Sequence, residues 1–245
     1  MTGPATAFTQ QVAAALERRF PRRFASGDDN IGLTVGTLHD IKRGSMSVLV
    51  LCVDLTEQVL AEAIASRADQ VITYSPTPSQ PLRTLTPHDP IGRILLGCAQ
   101  HNIAVHSIHT ACANAPHGVT DWLAQSIACG STRPIVAHSD CAEAGEGRLL
   151  ECDDATPLST ILARLKELLA VQHLRLALGA VVDEHNLAKA NEGCFVKSIA
   201  IQARHRAQHP CSAFCSSCVL APSLLHTFGA LPPRRLVKSL ICSTG

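Results

Sequence analysis

Val48-Leu-Val-Leu-Cys-Val53 is a run of consecutive apolar residues, followed at once by Asp54-Leu-Thr-Glu57. A run with no polar alternation is the pattern of a strand buried on both faces. An Asp with a Glu three residues on is the pattern of a capping box, with Asp54 as N-cap and Glu57 at the third helical position. The helix so begun reaches about Arg67, and a second apolar strand follows at Val71 to Thr73. Strand, helix, strand is a βαβ unit, most simply parallel and right-handed. The expected class is therefore α/β, with two-lobed mixed sheets flanked by helices. Aromatic residues are only 3 % of the 245-residue chain, so Leu, Val, Ile and Ala must fill its core.

Other elements follow from the same patterns. Phe8 to Phe20 reads as a helix, with Val12, Leu16 and Phe20 on one face and Pro21 at its end. Asp28 to Leu33 is a turn leading into a strand through Val35. Ile91–His101 and Val119–Ala128 read as helices, the latter carrying the single tryptophan, Trp122. Ile103 to Ile108 reads as a strand and Ser139 to Gly147 as an acidic, glycine-bearing loop. Thr156-Pro157 is a helix start, and Ile161, Leu162, Leu165, Leu168 and Leu169 give that helix its apolar stripe. Leu174, Leu176 and Leu178 alternate as a strand, and Val196–Ile201 is the last one.

Charge bounds the function. The formal net charge is +1, which argues against a dominant nucleic-acid or membrane surface. There is no apolar run long enough for a transmembrane helix and no secretory h-region. Arg18, Arg19, Arg22 and Arg23 fit the basic face of a first amphipathic helix, with a mitochondrial transit segment as the alternative. The cytoplasm is the expected location, the mitochondrion the alternative. Eleven cysteines in such a chain are expected as free or buried thiols. Composition breaks after Ile201. Residues 202–245 contain no Asp or Glu and carry charge +5, against −4 for residues 1–201.

Several motifs then line up. They are Asp29-Asn-Ile-Gly-Leu33, Val53-Asp-Leu-Thr-Glu57, Ala68-Asp69 with Tyr74-Ser-Pro76, and Ser107-Ile-His-Thr110. Ala115-Pro116, Gly118-Val119, Asp121-Trp-Leu-Ala124, Gly147-Arg-Leu149 and His173-Leu-Arg-Leu-Ala-Leu-Gly179 continue the series. In order and spacing, residues 8 to 201 resemble the GTP cyclohydrolase I type 2 family, also called NGG-interacting-factor-three-like. The resemblance is to the eukaryotic branch, without the domain some members insert between Pro134 and Gly147. It implies a two-lobed α/β fold, a ring-like homo-oligomer and a cleft holding two divalent metals that activate water.

Carried over residue by residue, that site is depleted. The family's His-Pro ligand position is Ser75. The aspartate ligand position is Ala113, with Asn114 beside it. The remaining His and Glu ligands fall beyond Ile201, where no Glu occurs. His109 alone survives as a candidate catalytic residue. A hydroxyl and a methyl leave little to hold two cations, so no cofactor is expected. Asp29, Asp54 and His109 could build a weaker site. The plainer reading is that Asp54 caps a helix, Asp29 turns a loop and His109 hydrogen-bonds at a strand end. The expectation is a scaffold or interaction protein that forms homo-oligomers or binds a protein partner. The alternative is a metal-dependent hydrolase or cyclohydrolase with rearranged ligands. The expected domains are 1–201, in lobes of roughly 1–130 and 145–201, and a Cys/Pro-rich tail, 202–245, that is poorly ordered. His205, Cys211, Cys215 and Cys218 are raw material for a zinc site in that tail. A displaced reading frame or a wrong gene model would equally give such an ending.

Overall fold

The computed structural model describes residues 7–27, 29–37, 47–177, 195–204, 217–218 and 239–241. The chain divides into two compact units, Met1–Ala115 and Pro116–Gly245.

The first unit opens with α1 (Ala7–Arg19) and β1 (Gly32–Val35). The βαβ unit follows as β2 (Leu49–Cys52), α2 (Glu57–Ala65) and β3 (Gln70–Thr73). Then come α3 (Pro90–Gln100), β4 (Ala104–Ser107) and the short α4 (His109–Asn114). The sheet order is β1-β4-β3-β2. β2, β3 and β4 are parallel, with Val50 beside Val71 and Val71 beside Val105. β1 is antiparallel to β4, with Gly32 opposite Ser107. Val71 and Val105 are fully buried and pack with Leu60, Ala63, Ile94, Cys98 and Ile103.

Two expectations are corrected here. β2 is the edge of the sheet, not a strand buried on both faces. Leu49, Leu51 and Val53 project outward, Leu51 at 74 % exposure, while Val48, Val50 and Cys52 pack on the core. An unbroken apolar run therefore has one wet side, because its burial depends on neighbours the run does not specify. The cap also moves by two residues. Thr56 is the N-cap of α2, its hydroxyl accepting from the Val59 amide at 3.2 Å. Asp54 lies outside the helix, its carbonyl accepting from the Thr56 amide. The helix expected over Ile91–His101 is α3, which begins one residue earlier: Asp89 caps it by accepting from Gly92 N at 3.0 Å, with Pro90 first inside. A Cβ at Gly92 would lie 2.0 Å from the Thr86 carbonyl, so the preceding loop needs glycine there to pack on the first turn.

The second unit contains α5 (Val119–Ile127), β5 (Gly130–Arg133), β6 (Val136–His138), β7 (Cys141–Glu146) and β8 (Arg148–Pro157). α6 (Leu158–Leu168), β9 (Arg175–Ala177) and β10 (Phe195–Ile201) follow. The main sheet is antiparallel in the order β10-β8-β5. Leu150 on β8 is fully buried among Leu123, Ala124 and Ile127 of α5, Ile161 and Leu165 of α6, and Ile199 and Ile201 of β10. The acidic stretch expected as a loop is a hairpin instead, with Val136 opposite Glu146 and Ala137 opposite Gly145. Gly145 makes it possible: its φ is 147°, and a Cβ would come within 2.1 Å of the Val136 carbonyl. Thr156 belongs to β8 opposite Val196, so α6 starts at Leu158, after Pro157. In residues 202–245 the described part consists of β11 (Ala203–Arg204), β12 (Ser217–Cys218) and β13 (Ser239–Ile241). β11 pairs with β12, and β13 with β9. The expectation of a poorly ordered tail falls largely outside the described residues.

Candidate functional site

The candidate site lies at the C-terminal ends of β3 and β4, where ligands bind in open parallel sheets. The strands stay joined past their formal ends. Ile108 N donates to Thr73 O at 3.1 Å, and His109 N to Tyr74 O at 2.9 Å. Ser75 N donates to Val53 O at 2.8 Å, which anchors Ser75 beside the end of β2. The Ser75 side chain is buried, and its Oγ has no hydrogen-bond partner among the described residues. Beside it, Ser107 Oγ accepts from Thr77 N at 3.4 Å.

His109 opens α4 with a φ of +26°, a strained value for a residue with a Cβ. Its Nδ1 lies 2.9 Å from Asp29 Oδ2. The same Asp29 oxygen accepts from the Thr110 hydroxyl and, at 3.3 Å, from Thr110 N. Thr110 Oγ1 in turn accepts from Ser26 N at 2.8 Å. Burial acts to raise the Asp29 carboxyl pKa. Hydrogen bonds from His109 and Thr110, with the charge on His109, outweigh it and hold the group below its ordinary value. The Tyr74 ring stands edge-on to the His109 ring, centroids 5.5 Å apart. Burial, with smaller contributions from Cys112 and Asp29, pushes the Tyr74 phenol up to about 12, so it stays a neutral hydroxyl at ordinary pH.

The described residues do not fit a pair of divalent metals. At the two positions in this unit where the resemblance implies ligands stand a neutral hydroxyl, Ser75, and a methyl, Ala113, which is itself buried. The neighbouring amide is committed elsewhere: Asn114 Nδ2 donates to Phe24 O at 2.8 Å. Asp29 is bound by three donor groups of its own unit. Among the described residues, no group of three or more His, Cys, Asp or Glu side chains is placed to hold a metal ion.

Of the weaker trio named from sequence, Asp29 and His109 meet, while Asp54 does not complete a three-residue cluster with them. Of the zinc candidates, Cys218 is in β12 and His205, Cys211 and Cys215 lie outside the described residues. Thr110 and Ser26, which complete the Asp29 network, were missed. Ser26 lies 84 positions from Thr110, and no spacing rule connects loops that far apart.

Known proteins resemble this chain over most of its length. The sequence model of the Duf34/NIF3 (NGG1p interacting factor 3) family matches residues 8–189. Protein NIF3 homolog of Schizosaccharomyces pombe is 34 % identical over 184 residues, covering 72 % of this chain and 66 % of that protein. A GTP cyclohydrolase 1 type 2 homolog of Bacillus subtilis is 33 % identical over 126 residues, covering 51 % of this chain and 33 % of that protein. The chain thus spans just under two thirds of the first relative and a third of the second. A hypothetical protein of Staphylococcus aureus has a similar structure, with a TM-score of 0.65 at 19 % identity over 84 % of this chain and 74 % of its own. A Bacillus cereus protein related to NIF3 gives 0.65 at 16 % identity over 82 % and 77 %. At such identities the two structures show a shared fold.

Proposed function

The chain belongs to the Duf34/NIF3 family, and from that premise we propose that it serves as a scaffold or interaction protein, not as a dinuclear metal hydrolase. One observation carries this reading. The surviving chemical residue, His109, is turned onto Asp29, and Asp29 is held in addition by Thr110. The pair thereby ties the loop before β1 to α4. Ser75 and Ala113, at positions where the resemblance implies ligands, offer one neutral oxygen between them. Hydroxyl and methyl groups cannot neutralise two divalent cations, and borderline metals favour imidazole and carboxylate donors. The expected partners are further copies of the chain or another protein, in the cytoplasm or the mitochondrion. Among the described residues no helix is long and apolar enough to cross a membrane.

Metal analysis of the purified full chain tests the reading. After incubation with zinc, manganese or cobalt and removal of excess, the expected result is no stoichiometric retention. Retention of two ions per chain, lost in His109→Gln or Asp29→Asn, would overturn it in favour of a hydrolase or cyclohydrolase with rearranged ligands. A single retained zinc, lost in Cys215→Ser but not in His109→Gln, would place the metal chemistry in the tail instead.

A further inference from the structure

We draw no further inference here: the strongest candidate, the open apolar edge of the first sheet where Leu49, Leu51 and Val53 project from β2, carries none, because nothing in the structure shows what covers it.

Discussion

Arg148 and Asp121 form an ion pair taken almost wholly out of water, Arg148 at 1 % exposure. The contact is two-pronged, Nε to Oδ1 at 2.5 Å and Nη2 to Oδ2 at 3.0 Å. Arg148 Nη1 donates to the Gly145 and Gly147 carbonyls at 2.8 and 2.7 Å, and Asp121 Oδ2 accepts from His117 N at 2.7 Å. The pair fastens α5 to β8 and to the turn before it. Removing one partner leaves a buried charge unpaired, so Asp121→Ala should cost about 3–5 kcal/mol in urea unfolding. Asp121→Leu combined with Arg148→Met should cost much less than either change alone. His106 presents the opposite case, a buried group kept neutral. It is 8 % exposed, and its Nδ1 has no hydrogen-bond partner among the described residues. Burial, then the charge of Arg22, lowers its pKa below the ordinary 6.5, with Glu17 opposing. The unfolded chain takes up this proton near 6.5 and the folded chain only at lower pH. The stability contributed by His106 is therefore present above 6.5 and lost as pH falls through that value towards the folded pKa. Unfolding free energies between pH 7.5 and 5 should show this decline, and His106→Leu should flatten it. Asp29, whose folded pKa is also lowered, acts in a separate window: its contribution is present above its ordinary 3.8 and is lost below it.

At the scale of elements, α2 offers a direct comparison of two candidate caps. Thr56→Ala removes the hydroxyl that satisfies the Val59 amide and should cost about 1 kcal/mol, while Asp54→Ala should stay within about 0.5 kcal/mol. Both substitutions are read by the same urea titration, and equal effects would restore Asp54 as the cap. The edge strand β2 invites a similar contrast with the buried face of α3. Ile94→Ala, at 3 % exposure on α3, should cost about 2–5 kcal/mol, whereas Leu51→Ala should cost well under that. These two cases also show how far the elements could be read from sequence. The order β2, α2, β3 was legible, because apolar runs and a capping residue are local signals. The edge position of β2 was not, since it depends on which strand lies beyond it. Asp54 and Thr56 both fit a helix start by residue type, and only the hydrogen bond distinguishes them. The β6–β7 hairpin was illegible for another reason. Cys141-Ala-Glu-Ala-Gly-Glu146 has no apolar alternation, so backbone pairing carries the hairpin, with Gly145 allowing the close approach of β6.

At the scale of the whole molecule, the site was legible as a list but not as an arrangement. Ser75, Ala113 and His109 could be named from motif order, because each stands at a fixed offset from a strand end. That His109 closes on Asp29 could not, since those residues come from opposite ends of the first unit. That unit nonetheless contains both of them, all partners of its four-stranded sheet, and an apolar cluster of its own. Residues 1–115 expressed alone should therefore fold cooperatively. The check is a single sigmoidal urea transition with slow amide exchange at Val71 and Val105. In that fragment Asp29→Asn should lower stability by roughly 1–3 kcal/mol, because charge-assisted bonds to His109 and Thr110 weaken while the donors remain buried. The size of that loss bears on function. If the Asp29–His109 pair is a fastening, Asn weakens the fold of the metal-free fragment by this amount, and added zinc or manganese restores nothing. If the pair is a remnant ligand set, the substitution leaves the metal-free fragment nearly as stable as before, and divalent metal stabilises only the unsubstituted form. The two outcomes separate on one titration with and without metal, in a fragment from which the tail is absent.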